Sequence, residues 1–192
     1  LGKIKLPFPG GDVIGIRRID THWEGLLTLG AKLHITNMIE GTLKNPRGNK
    51  VFLDEPSVTG TENIILASVL AEGITTIYNA ACEPHVRGLC RLLNQMGAKI
   101  SGVGSNVLTI EGVHKLNGTE YEISPDFMEI GSFLCLGALN NNEITIKNIN
   151  YEDFNFILKT LSKIGINPEY NNNSFIIKGT QTLKIKQDIG GK

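Results

Sequence analysis

The chain has 192 residues, 41% of them hydrophobic, enough apolar material for one large core or two small ones. Nineteen Lys and Arg balance nineteen Asp and Glu, so the overall charge favours neither nucleic acid nor an anionic membrane surface as a partner. No apolar run approaches the roughly 20 residues of a membrane span and residues 1–6 lack a signal-peptide core, while Cys82, Cys90 and Cys135 form no CxxC pair or zinc ligand set; reduced structural thiols, a cytosolic location and no metal or redox cofactor are expected.

In chain order, the first distinctive stretch is Leu6-Pro7-Phe8-Pro9-Gly10-Gly11-Asp12-Val13-Ile14-Gly15-Ile16-Arg17-Arg18-Ile19-Asp20. Pro-Gly-Gly predicts a loop, and composition leaves open whether it is a solvated connection or a carrier of catalytic groups. Arg17 and Arg18 could grip phosphate or carboxylate oxygens ahead of a helix start at Asp20-Thr21, although adjacent arginines are also ordinary surface charge. A helix is predicted over residues 21–29, strands over 32–35 and 51–53, and a mobile hairpin tip over 41–50. Pro56-Ser57-Val58-Thr59-Gly60-Thr61-Glu62-Asn63 then offers a second anion-friendly turn, or simply a capping box from Thr59 to Glu62. A helix over 62–70 and a strand over 75–78 follow. The next helix, 85–96, has apolar residues at helical spacing and ends at Gly97, a natural left-handed cap. Strands at 98–102, 107–111 and 120–123 are separated by Gly104-Ser105-Asn106 and Asn117-Gly118. The latter matches a glycosylation acceptor but reads as a tight turn. Asp126 and Glu129 open a helix over 128–139, followed by a strand at 143–148, a helix at 153–164 and a strand at 174–178.

These elements repeat. Residues 26–33, with Gly30-Ala31-Lys32, recur at 92–100 with Gly97-Ala98-Lys99, and more faintly at 161–166 around Gly165; the three glycines are 67 and 68 residues apart. Ile74-Thr75-Thr76-Ile77-Tyr78-Asn79 is echoed by Ile144-Thr145-Ile146-Lys147-Asn148, which places Asn79 and Asn148 69 apart. Two blocks at one offset mark an internal repeat of helix, strands, helix and strand, and the chain reads as an excerpt of a longer array. His22, His34, His85 and His114 are scattered without metal-pair spacing. Gly102-Val103-Gly104 lies in a hairpin, where a dinucleotide fingerprint would need a strand-to-helix turn.

Together, Pro9 to Arg17, the Ser57-Val58 turn, Leu70 to Ala81, Glu83-Pro84, Met96 to Gly102 and Pro125-Asp126 with Glu129 to Phe133 resemble the UDP-N-acetylglucosamine enolpyruvyl transferases along essentially the whole chain. The resemblance implies an inside-out α/β barrel of two domains, each of three β-α-β-α-β-β units. Residues 1–124 would be the second half of the first domain and 125–192 the start of the second. It implies transfer of the enolpyruvyl group of phosphoenolpyruvate to the sugar 3-hydroxyl of UDP-N-acetylglucosamine, the first committed step of peptidoglycan synthesis. The remainder of the same enzyme chain would be the partner. Asp12 falls where the family carries a loop cysteine acting as acid, and a carboxyl group can donate that proton if its surroundings raise its pKa. Resistance to the epoxide fosfomycin is expected, because a carboxylate opens an epoxide far less readily than a thiolate. Arg17 matches the arginine that bridges the phosphoenolpyruvate and diphosphate anions. Arg18, Ile19, Asp20 and Thr21 match the uridine-lining segment, with Arg18 where many relatives have proline. Ser57, Val58 and Thr59 match the diphosphate turn. Glu55 and Phe127 replace residues that are lysine and arginine in some relatives, which implies a weaker anion field. The family's Lys-Asn pair, its second-domain aspartate and a later arginine have no match here, so this stretch alone should not turn over. The alternatives are the related transferase acting on shikimate 3-phosphate and a non-catalytic repeat module that binds a partner.

Overall fold

The computed structural model describes residues 2–8, 18–140 and 142–184. The chain forms two compact units, Leu1–Glu122 and Ile123–Lys192.

The first unit begins with β1 (Lys3–Pro7), α1 (Asp20–Thr28), β2 (Lys32–Ile35) and β3 (Met38–Thr42), the three strands forming an antiparallel sheet in the order β1-β3-β2. It continues through β4 (Lys50–Phe52), α2 (Val58–Ser68), β5 (Ile74–Tyr78), α3 (Pro84–Gln95), β6 (Lys99–Ser101) and β7 (Val107–Glu111). These strands make a four-stranded sheet, β4-β5-β7-β6, in which only the β4–β5 pair is parallel. A parallel neighbour needs a crossover, and α2 supplies it. The sheet's period of two puts Thr75, Ile77, Leu108 and Ile110 on one buried face, while Thr76, Tyr78, Val107 and Thr109 point the other way. Ile64, Ile65 and Val69 of α2 and Val86, Cys90 and Leu93 of α3 cover the buried face, with Leu29 and Val51 completing the core. Fully burying a residue such as Ile64 stabilises by roughly 1.5–3 kcal/mol, several times the few tenths expected from a surface ion pair. The core therefore sets how α1, α2 and the sheet ends lie against one another.

The second unit holds α4 (Phe127–Leu139), β8 (Ile144–Ile146), a 3-10 turn (Tyr151–Phe154) running into α5 (Asn155–Ser162), then β9 (Glu169–Asn171) and β10 (Ser174–Ile177). Its antiparallel sheet has β10 at the centre, with Phe175 and Ile177 packed under Ile130, Leu134 and Ala138 of α4. Asp126 caps α4, its Oδ1 accepting from the backbone N–H groups of Met128 (2.7 Å) and Glu129 (3.3 Å).

The repeat is visible in backbone dihedrals. Gly30, Gly97 and Gly165, each just past a helix, take φ of +98°, +99° and +89°, the left-handed region where glycine pays no Cβ penalty. Asn79 and Asn148, each just past an equivalent strand, take φ of 59° and 62°.

The structure corrects several expectations. Residues 120–123 form no strand; Tyr121 and Ile123 alternate as a strand would, but no neighbouring strand pairs with them and Ile123 is 86% exposed. Helix α2 starts four residues before the predicted position, because Ser57 rather than Thr59 is the cap. The supposed mobile tip at 41–50 is tied down. Arg47 N–H donates to Leu29 O (3.2 Å), Gly48 N–H to Glu72 O (2.8 Å) and Glu72 N–H to Pro46 O (2.8 Å). Strands β1, β3 and β9 were not anticipated.

Candidate functional site

The best-built surface feature lies where the starts of α1 and α2 meet at one end of the four-stranded sheet. Beyond β4 the chain stays beside β5 for one more residue: Leu53 N–H donates to Tyr78 O (3.1 Å), and Asn79 Nδ2 donates to Leu53 O (2.9 Å). Asn79 reaches back because its left-handed backbone turns the chain at the end of β5. A short turn, with Ser57 N–H donating to Glu55 O (2.7 Å), then delivers Ser57 to the head of α2.

There Ser57 Oγ accepts from Gly60 N–H (3.2 Å), satisfying one of the orphan donors of a helix start. The first N–H groups, at Val58 and Thr59, have no acceptor within the helix, and the macrodipole adds partial positive charge around them. Such a helix start favours an anion. Thr61 fixes the turn from below. It is fully buried, its Oγ1 donates to Ser57 O (2.7 Å), and it accepts from Ala81 N–H (3.0 Å) beyond β5.

Helix α1 approaches closely because Gly25 faces Ile64, where a side chain would collide, and Gly60 faces Thr21, where one would fit only tightly. Ile19 takes the cap position of α1 without a side-chain cap, its carbonyl accepting from His22 N–H (3.2 Å). Thr21 is buried and its Oγ1 reaches Glu55 Oε1 (3.4 Å). His22 joins the helices: its Nε2 lies 3.3 Å from Thr59 Oγ1 and its Nδ1 2.7 Å from Asn63 Nδ2. Burial pushes the His22 imidazole below its usual pKa, towards the neutral ring.

Arg18 turns towards carboxylates. Its Nε donates to both oxygens of Asp20 (3.2 and 3.1 Å) and its Nη2 pairs with the same group. Asp54 and Glu55 each stand 3.9 Å away. The hydrogen bond to Asp20 raises the Arg18 pKa, and the same bond holds the Asp20 carboxyl below its ordinary range. Among the described residues one guanidinium thus faces three carboxylates, which gives this cluster a net negative charge.

Of the residues singled out from sequence, Arg18, Ile19, Asp20 and Thr21 on one side and Ser57, Val58 and Thr59 on the other are brought together. Asp12 and Arg17 lie outside the described residues. Phe127 belongs to the second unit, as the first residue of α4. Sequence reasoning missed the roles of Thr61, Asn63 and Asn79 and read His22 only as one of four scattered histidines without metal-pair spacing. The spacing of Thr59 and Asn63, four apart on one helix, was the available signal for a shared partner. Among the described residues no group of three or more His, Cys, Asp or Glu could hold a metal ion, and no helix is long and apolar enough to cross a membrane. Cys82 is exposed, Cys90 buried and Cys135 in between, all free thiols.

This fold is that of the enolpyruvyl transferases. The enolpyruvyl transferase NikO from Streptomyces tendae superposes with a TM-score of 0.76 at 16% identity, over 92% of this chain and 44% of that one. EPSP synthase from Acinetobacter baumannii gives 0.63 at 22% identity, over 88% and 41%. The chain belongs to the EPSP synthase (3-phosphoshikimate 1-carboxyvinyltransferase) family, whose model matches residues 1–189. Among curated relatives, the UDP-N-acetylglucosamine 1-carboxyvinyltransferases of Borreliella burgdorferi and Bacteroides thetaiotaomicron are 53% and 47% identical over 99% of this chain. The chain spans 45% and 44% of their lengths.

Proposed function

We propose that the protein containing this chain transfers the enolpyruvyl group of phosphoenolpyruvate to the 3-hydroxyl of UDP-N-acetylglucosamine, releasing phosphate in the first committed step of peptidoglycan synthesis. The observation that carries this reading is 53% identity, across 99% of the chain, to a protein of that name. Residues 1–124 then belong to the second half of one domain and 125–192 to the start of the other, with the remaining enzyme chain completing the site. The cytoplasm, where both substrates are found, is its place of action, and these residues alone do not turn over.

In this reading a base in the remainder of the enzyme takes the proton of the sugar 3-hydroxyl as its oxygen bonds to C2 of phosphoenolpyruvate, while Asp12 donates a proton to the methylene carbon C3. A proton from C3 then passes to a base of the completed site, phosphate leaves from C2 and the double bond is restored. The Asp12 carboxyl must be protonated to act, which calls for an apolar or anionic surrounding. Arg17 bridges the two substrate anions, as its bidentate guanidinium allows. The Ser57 turn receives the diphosphate on the N–H groups of Val58 and Thr59 and the Thr59 hydroxyl. Arg18, Ile19, Asp20 and Thr21 line the uridine, Arg18 with its charge directed at Asp20.

Restoring the flanking sequence and measuring phosphate release from phosphoenolpyruvate tests the assignment. Release should require UDP-N-acetylglucosamine, vanish in Asp12→Asn and return in Asp12→Cys together with fosfomycin sensitivity. Wild-type release that instead follows shikimate 3-phosphate would move the protein to the activity for which its family model is named. No release with either acceptor would favour a binding module. Rapid covalent labelling of Asp12 by fosfomycin would remove the expected resistance.

A further inference from the structure

Resting on that reading, we propose that His22 is a positioning residue that holds the Thr59 hydroxyl as a hydrogen-bond donor towards the diphosphate at the start of α2. Several helical Ser and Thr hydroxyls in this protein turn back onto their own helices, although Thr21 reaches Glu55 and Ser68 Oγ makes no hydrogen bond. Thr28 donates to Glu24 O (2.7 Å), Thr61 to Ser57 O (2.7 Å), Ser132 to Met128 O (3.0 Å) and Thr160 to Phe156 O (3.0 Å). This is the local bond that such side chains make by default. Thr59 departs from it, engaging His22 of the neighbouring helix at 3.3 Å.

The direction of that bond follows from Asn63. The Asn63 amide presents its nitrogen to His22 Nδ1 at 2.7 Å; in that orientation Nδ1 is the acceptor and the ring proton sits on Nε2. The Nε2–H then donates to Thr59 Oγ1, and the hydroxyl keeps its own proton for an acceptor outside the protein. Thr59 is exposed and sits in the first turn of α2, beside the N–H groups with no helical acceptor. Asp20, Asp54 and Glu55 crowd the same rim with acceptors, and a correctly turned neutral donor is what an anion there would lack. Gly25 and Gly60 provide the close helix approach that brings ring and hydroxyl together.

The test measures UDP-N-acetylglucosamine affinity by calorimetry on the full-length enzyme, in wild type, His22→Leu, Thr59→Val and the double variant. A hydrogen bond to a charged group changes affinity by roughly ten- to a hundredfold, so each single variant should weaken binding by up to about that factor. Because His22 acts through Thr59, the double variant should bind no more weakly than Thr59→Val. His22→Gln, whose amide can donate from nearly the same place as Nε2–H, should recover most of the affinity. If His22→Leu does not fold, Asn63→Leu serves in its place: it should weaken binding when Thr59 is present and not when Thr59 is Val. Losses that multiply in the double variant, or unchanged affinity in the single ones, overturn the role of His22 while leaving the assigned activity standing. A wild-type enzyme that does not bind the nucleotide sugar overturns the activity itself.

Discussion

The buried hydroxyl of Thr61 links two segments 20 residues apart in sequence, accepting from Ala81 N–H at 3.0 Å while donating to Ser57 O at 2.7 Å. Both bonds lie under the turn that caps α2, so this one side chain holds the candidate diphosphate cradle to the end of β5. Thr61→Val keeps the shape and removes the hydroxyl, leaving a buried N–H and a carbonyl without this partner. The expected cost is about 1–3 kcal/mol, read as a lower urea midpoint, together with weaker nucleotide-sugar binding. Thr61→Ser should retain both bonds and lose only the contribution of a methyl group. A loss in Thr61→Ser with none in Thr61→Val would mean that the methyl, not the hydroxyl, is what matters.

Gly25 controls how close α1 comes to α2. A methyl group there would overlap the side chain of Ile64, which is 0% exposed, so the packed core must shift to admit it. Gly25→Ala should therefore destabilise by roughly 1–3 kcal/mol despite alanine's better helix propensity, and should loosen the contacts of His22 with Thr59 and Asn63. Thermal unfolding checks the first effect and UDP-N-acetylglucosamine affinity the second. Gly25→Ala combined with Ile64→Val should regain part of the lost stability, because the smaller side chain makes room.

The negative rim yields an electrostatic prediction. Arg18 faces Asp20, Asp54 and Glu55. Glu55→Lys should tighten nucleotide-sugar binding, with the largest gain at low ionic strength, since exposed charges are screened beyond a Debye length of about 10 Å at 0.1 M salt. Arg18→Gln should weaken binding with the same salt dependence. Affinities for both variants that do not respond to salt would show that these groups act by contact rather than through the field.

Legibility in the sequence tracked how local each determinant is. Gly30, Gly97 and Gly165 were readable as helix ends because the left-handed turn after a helix is a local demand that glycine meets, and the structure gives all three positive φ. Strand β9, Glu169–Asn171, was invisible because all three residues are exposed, so no alternation marks it; it exists by pairing with β10. Residues 120–123 failed in the opposite way, with alternation present and no partner strand. Around the candidate site, the stretch from Pro56 to Asn63 was legible as an anion-friendly turn and the resemblance picked out Ser57, Val58 and Thr59 within it, whereas Thr61 and Asn63 were given no role of their own. Their roles depend on Ala81 and His22, and no pattern along the chain announces that those residues will be neighbours.

Cys90 supplies a pH prediction. It is 1% exposed, and burial, helped by the nearby Glu62 carboxylate, pushes its thiol up to about 11 from an ordinary value of 9.0. In the unfolded chain the thiol ionises at the ordinary value. Between the two values the unfolded state has therefore lost a proton that the folded state keeps. Stability falls wherever the unfolded state binds fewer protons, so this contribution is fully present below about pH 9 and is lost as pH rises through about 11. The loss is on the order of 3 kcal/mol. Cys90→Ala should flatten this alkaline decline, at the expense of a small cavity. Iodoacetamide at pH 8 should modify exposed Cys82 in the native protein and leave Cys90 untouched until urea unfolds the chain. Rapid native labelling of Cys90, followed by peptide mass mapping, would show that the core of α3 opens without global unfolding.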